Sequence, residues 1–279
     1  MSIPRHDSDS PWNLLLRQSF PDAIAFFFPD TARLIDWQHP IEFLDGDLRQ
    51  VQERTWAAIG GYGDQRVGER AIADPMIDPM IDPMDDPMTT PMPNPSVADH
   101  LVKVSRKHGK DMVLFLHVNL QPSPEAKLAE RMLIHHLAIF DLLCHPAISL
   151  AILGDENPHW RPSSYGFESA DTRLNFEFGM VKLLDYRLQW PTLERSRNLF
   201  AMAVMAHLKL QETQQNAHQR KIWKSWLIHR LSQSRYSQQE NLSLLQFIDR
   251  LLILPEPLQQ ELWVELEAGE GNPTAQTKT

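Results

Sequence analysis

Two strand-like runs separated by a short turn constrain this chain more than any other feature. The first is Asp99-His-Leu-Val-Lys-Val104. The second runs from Asp111 through Met-Val-Leu-Phe-Leu-His-Val-Asn-Leu-Gln121, and His108-Gly109 lies between them. Runs of aliphatic and β-branched residues around such a turn predict a β-hairpin. Side chains alternate along a strand, so His117, Asn119 and Gln121 share one face while Leu116, Val118 and Leu120 form the other, buried face. On the first strand Asp99 shares its face with Leu101 and Lys103. With a matching register, Asp99, Asn119 and Gln121 converge at one end of the sheet.

The flanking sequence predicts a mixed α/β architecture. Ser10-Pro11 is a helix start, serine as cap and proline in the first turn. Leu14, Leu15, Phe20, Ile24, Phe27 and Phe28 supply apolar positions for one or two helices. Ala32 to Trp37 reads as a short strand and Phe43 to Ile59 as helix. Ser123-Pro124-Glu125 is a second cap-plus-proline start, followed by Leu128, Met132, Leu133, His136, Leu137 and Phe140 at helical spacing. Ala147 to Leu153 is a continuous apolar run bounded by Pro146 and Gly154, the mark of a buried strand. Residues 173–178 alternate as a further strand and lead into the run Met180-Val-Lys-Leu-Leu. The sum is a mixed sheet flanked by helices. From Pro191 onward only helices are expected: 200–210, 219–231, 238–252 and 257–266. The expected organisation is an α/β core over 1–190, a helical extension over 191–268 and a polar tail over 269–279.

One segment departs from this pattern. Between about residues 72 and 96 the motif Asp-Pro-Met recurs with a period of four, at Asp74, Asp78, Asp82 and Asp86. Proline at every fourth position excludes helix and central strand, which predicts an extended, disordered loop. It reads either as a Met-rich binding tract or as an expanded repeat in a tolerant loop. The net charge of −9 argues at first against a nucleic-acid partner. Five of the aspartates lie in residues 71–98, which contain no Lys or Arg, so the rest of the chain is only mildly acidic. The single cysteine, Cys144, excludes an internal disulfide and is expected to be a small buried side chain. The N-terminus has no apolar signal core, and no apolar run approaches the ~20 residues of a membrane helix. A cytoplasmic protein without a membrane partner is expected. Nothing in the sequence bears on oligomeric state.

An acid on one strand and a polar pair on the next is the layout of a metal-dependent nuclease hairpin. Phosphodiester cleavage calls for a hard divalent ion held by one or two carboxylates. The segments Phe43-Leu-Asp45, Asp99 to Val104, His117 to Gln121, Ala129-Glu-Arg-Met132, Ser149 to Asp155, Trp160-Arg-Pro162, Val181 to Asp185 and Ala206-His-Leu208 together resemble the recombination-promoting nuclease (Rpn) family. Its members are also described as transposases, and the likeness is to its cyanobacterial-type branch. The resemblance spans roughly residues 12–255 in the same order. It implies the PD-(D/E)xK (restriction-endonuclease-like) fold and Mg²⁺-dependent DNA endonuclease activity in recombination. It also implies that Asp99 is the first motif acid and Gln121 the glutamine of an E-x-Q pair. The glutamate of that pair falls on Asn119. The metal ligands would then be Asp99 and Asn119, and the missing charge predicts impaired cleavage. Glu125, Glu130 or Asp111 are the acids placed to compensate. The alternative is a non-catalytic scaffold that binds DNA or protein.

Other residues carry weaker signals. Asp22 and Asp45 read as cap or surface acids, and His117 as a packed strand histidine beside the pocket. His135-His136 is not a metal pair, because adjacent helical residues point apart. No zinc-protease, Walker or nucleophile-elbow motif is present. The candidate DNA surface is Arg220, Lys221, Lys224 and Arg230, with His218 and His229, the first three being the expected contacts. It reads equally as a solvated basic face, with Trp223, Trp226 and Leu227 docking the helix to the core.

Overall fold

The computed structural model describes residues 10–46, 48, 98–108 and 113–268. The Asp-Pro-Met repeat, most of the helix expected to end at Ile59, Gly109, Asp111 and the tail from 269 lie outside them.

The chain begins with three short helices, α1 (Pro11–Gln18), α2 (Phe20–Phe27) and α3 (Pro29–Leu34), each with proline in its first turn. Ser10 caps α1 by accepting from the Asn13 amide. The strand expected at 32–37 is instead α3 followed by one bridge between Ile35 and Arg106. Pro29 presets the helical φ and Asp30 supplies first-turn negative charge, which together outweigh the β-propensity of the residues that follow.

A five-stranded mixed sheet follows, in the order β1-β2-β3-β4-β7. The strands are β1 (Glu42–Phe43), β2 (Ala98–Ser105), β3 (Val113–Gln121), β4 (Ala147–Leu153) and β7 (Gly179–Lys182). β1, β2 and β3 pair antiparallel. The helix α4 (Leu128–Leu143) then crosses over, so that β4 runs parallel to β3 and β7 parallel to β4. Residues 173–178, expected in the main sheet, form β6 (Thr172–Glu177), which pairs with β5 (Ser164–Ser169) as a separate hairpin.

After a 3₁₀ segment at Leu183–Gln189, the chain is helical: α5 (Trp190–Arg195), α6 (Leu199–Glu212), α7 (Ala217–Ser232), α8 (Gln238–Leu251) and α9 (Glu256–Glu267). These helices share one core with the front of the chain. Val102, Leu116, Val118, Leu120 and Ile152 on one sheet face pack with Trp12, Leu15 and Ile24 and with the α6 residues Phe200 to Leu208. The other face is covered by α4, through Leu128, Met132 and Ile139. Both faces of β3 are therefore buried, including the one that carries His117, Asn119 and Gln121.

Two local expectations fail for identifiable reasons. α4 starts at Leu128 with Lys127 as an unassisted cap, not at Ser123. Residues 122–127 form the connection that carries Glu125 back over the end of β3. Cys144, expected to be buried, is exposed. It ends α4 in the left-handed conformation at φ 51, and that turn directs its side chain away from the core.

Candidate functional site

The register of the hairpin assembles the site. Asp99 on β2 is the direct partner of Asn119 on β3, and Leu101 is the partner of His117. The polar row of β3 thus lies beside the Asp99 carboxylate and beneath α4. Helical periodicity brings Arg131 and His135 from α4 onto this row, because positions 128, 131–132, 135 and 139 share one face. Leu137 and Phe140, expected on the apolar face, are instead 52% and 50% exposed. A sheet face carrying His117, Asn119 and Gln121 calls for polar partners, so α4 presents its Arg131/His135 stripe with Leu128, Met132 and Ile139 at the flanks.

Four side chains converge on Asp99. Asn119 Nδ2 donates to Oδ1 at 2.5 Å, and His117 Nε2 lies 3.2 Å from the same oxygen. Arg131 Nη1 donates to Oδ2 at 3.3 Å, and His135 Nδ1 lies 3.5 Å from it. Arg131 also links this centre to the rest of the motif. Its Nη2 donates to Gln121 Oε1 at 3.0 Å, and its Nε and Nη2 donate to the Glu125 carboxylate at 3.1 and 3.0 Å. Gln121 Nε2 donates in turn to the Ser123 carbonyl. Asp99 and Asn119 therefore meet directly, and Gln121 joins them through Arg131, with His117, His135 and Glu125 completing the cluster. Glu130 stands in the first turn of α4.

The electrostatics follow from burial around a single carboxylate. Burial raises the Asp99 carboxyl, but His135, the hydrogen bond and charge of His117, and the Arg131 guanidinium more than offset it. The group is held well below the usual carboxylate range. His135 is pushed down to about 4, chiefly by burial, with Asp99 opposing and His117 and Arg131 reinforcing the effect. At neutral pH Asp99 is thus an anion and His135 a neutral imidazole. Asp99, His117 and His135 form a cluster that can hold a metal ion, their ligand atoms all lying within 4.8 Å of one another.

The remaining sequence candidates lie elsewhere. Asp45 works on the opposite side of β2, accepting from the Leu101 amide and contacting His100 Nδ1 at 3.1 Å, with Arg17 at 2.5 Å. Asp22 sits in the first turn of α2. Three basic residues of α7 are paired within the protein. Arg220 donates to the carbonyls of Thr213, Gln214 and Ile253, and Lys221 bridges Glu261 and Glu265. Lys224 is 1% exposed and bonds Asp249 and Gln259. The expected stripe does not present three free cations to a phosphate backbone. Leu227 is fully buried, and Trp223 and Trp226 pack edge-on 5.7 Å apart.

His135 and Arg131 are the site residues that sequence reasoning missed. The signal for them was the 3–4 residue spacing from Leu128 through Ile139, masked by the more hydrophobic Leu137 and Phe140. Among the described residues no helix is long and apolar enough to cross a membrane. Comparison with family models, with curated proteins and with solved structures finds no match to the chain.

Proposed function

We propose that this protein is an Rpn-like member of the PD-(D/E)xK nuclease fold that has lost efficient Mg²⁺-dependent cleavage and acts as a non-catalytic scaffold. The mixed sheet and the Asp99–Asn119 register support the fold half of this reading, since the resemblance requires those two positions to meet at one strand end. The functional half is carried by one observation. Asn119 does not add a charge beside Asp99 but donates its amide to it at 2.5 Å.

The donor set does not fit Mg²⁺. That ion prefers near-octahedral oxygen coordination and retains several waters. Here a single carboxylate is flanked by two imidazoles and a carboxamide. The permanent cation of Arg131 lies 3.3 Å from it, and Glu125, one of the acids expected to compensate, is engaged by that same guanidinium. The internal pairing of Arg220, Lys221 and Lys224 favours a scaffold that does not grip DNA through α7.

Nicking of supercoiled plasmid with Mg²⁺ or Mn²⁺ tests the reading. The wild-type chain is expected to match an Asp99→Ala control. Robust nicking by wild type that Asp99→Ala abolishes would overturn it. Nicking confined to Asn119→Glu would show that the missing charge alone disables the pocket.

A further inference from the structure

The buried cluster over β3 is rich in nitrogen donors, and that chemistry selects a different class of ion from the one the nuclease resemblance implies. We propose that Asp99, His117 and His135, with Asn119 as a fourth, neutral ligand, bind a single divalent ion of the Zn²⁺ class. Two imidazoles and one carboxylate suit the borderline ions of the first transition row, whereas Mg²⁺ and Ca²⁺ select oxygen.

The spacing agrees with this assignment. A tetrahedral ion with ligand bonds of about 2.0–2.1 Å holds its ligand atoms about 3.3–3.4 Å apart. His117 Nε2 lies 3.2 Å from Asp99 Oδ1 and His135 Nδ1 lies 3.5 Å from Oδ2, and one ligand atom from each of the three residues lies within 4.8 Å of the others. Small side-chain rotations close the set on one centre. Asn119 contributes a second, independent observation. It is 0% exposed, and among the described residues its Oδ1 is buried with no hydrogen-bond partner. Rotation about the terminal torsion of Asn119 exchanges Nδ2, now 2.5 Å from Asp99, for this oxygen. A neutral carboxamide there is a liability for a Mg²⁺ nuclease and an ordinary ligand for this site.

Arg131 does not exclude the ion. Its contact with Asp99, at 3.3 Å, is longer than its bonds to Glu125 and Gln121, which hold the guanidinium to the side of the carboxylate. The ligands come from β2, β3 and α4, so the bound ion would fasten the crossover helix to the hairpin. Its role is that of a clamp, and no reaction is assigned to it.

The proposal uses the cluster described above but does not depend on the nuclease resemblance. Its test is a titration of the chelator-treated full chain with Co²⁺. A visible d–d absorption is expected to saturate at one ion per chain, to be displaced by Zn²⁺ and to survive a large excess of Mg²⁺. Even groups one step removed from a metal typically change its affinity by about 10–100-fold. His117→Gln and His135→Gln, which replace ligands, are each expected to weaken Co²⁺ binding by at least about tenfold. Zn²⁺ is expected to raise the melting temperature of wild type and not that of either variant. Absence of a saturable Co²⁺ spectrum in wild type overturns the proposal without any variant having to fold. A spectrum unchanged in both folded variants overturns it as well. Co²⁺ binding together with Mg²⁺-dependent nicking would reject the scaffold reading and leave the metal site standing. No Co²⁺ binding and no nicking would do the reverse.

Discussion

The buried ion pair between Lys182 and Asp155 gives the most direct quantitative test of how the sheet end beneath the site is held. Lys182 closes β7, and its ammonium donates to both Asp155 oxygens, at 2.8 and 2.7 Å, and to the Trp160 carbonyl at 3.0 Å. The two side chains are 0% and 2% exposed. Lys182→Met preserves most of the stem but leaves a carboxylate in a dry site with, among the described residues, one remaining donor, the Asn157 amide at 2.8 Å. Breaking a buried pair from one side costs about 3–5 kcal/mol, because the surviving charge has lost both water and partner. At about 2–4 °C per kcal/mol, the melting temperature should fall by about 6–20 °C. Asp155→Asn alone strands the ammonium instead, and its cost should be of the same order. The double variant removes both charges while the carboxamide still accepts from Asn157, so its cost should fall short of the sum of the singles by about 2–3 kcal/mol. Equilibrium denaturant unfolding of the four proteins provides the cycle. A Lys182→Met cost below about 1 kcal/mol, or additivity of the two singles, would refute the account of this pair as the clamp of the β4–β7 end. The consequence reaches the site, because Gly154, next to Asp155, donates its amide to the Gln121 carbonyl at 2.8 Å.

Three further outcomes are expected. His207 accepts from Trp12 Nε1 at 3.3 Å through Nδ1 and donates from Nε2 to the Gly154 carbonyl at 2.8 Å, which fixes a neutral tautomer. Burial pushes its pKa down, with the Gly154 bond opposing. The unfolded chain, with an imidazole near 6.5, therefore takes up a proton at a higher pH than the folded one. This contribution to stability is full above about pH 6.5 and declines as pH falls from there toward the folded value; melting curves from pH 8 to 5 should show a slope that His207→Gln reduces. Arg220→Ala should cost about 1–3 kcal/mol in thermal unfolding, because three carbonyls lose a charged donor. Lys221→Ala, whose acidic partners are largely exposed, should cost under about 1 kcal/mol, and a reversed order would contradict these assignments. Cys144 should react fully with a thiol reagent in the native protein. Cys144→Gly should raise stability by up to about 1 kcal/mol by relieving the left-handed φ of 51 at the end of α4, and a lower melting temperature would refute that strain.

What the sequence made legible divides along a physical line. The period-2 alternation of residues 113–121 and the capping of α1 by Ser10 are local effects, and the structure forms both as expected. The convergence of Asp99 with Asn119 and Gln121 depended on one register, which the alternation restricts but the turn sets. Hydrophobicity alone predicts the wrong buried face for α4. That guide holds where a helix covers an apolar surface, as α6 does with Phe200 and Leu208, both 0% exposed. Over β3 it fails, since His117, Asn119 and Gln121 turn the buried surface polar and the most stable helix face is the one that answers their hydrogen-bonding demand. The rule that adjacent helical residues diverge separated His135 from His136 correctly: His136 turns to Ser149 at 3.1 Å while His135 turns to Asp99. Yet divergence from a neighbour says nothing about convergence with another element. The Asp99–His117–His135 cluster comes from three elements: the hairpin pairs β2 with β3, and the crossover after β3 lays α4 over them. A buried polar row on a strand is therefore a sequence signal in its own right: it predicts that the helix above it buries its charged stripe, and the residues of that stripe are the ones to mutate first.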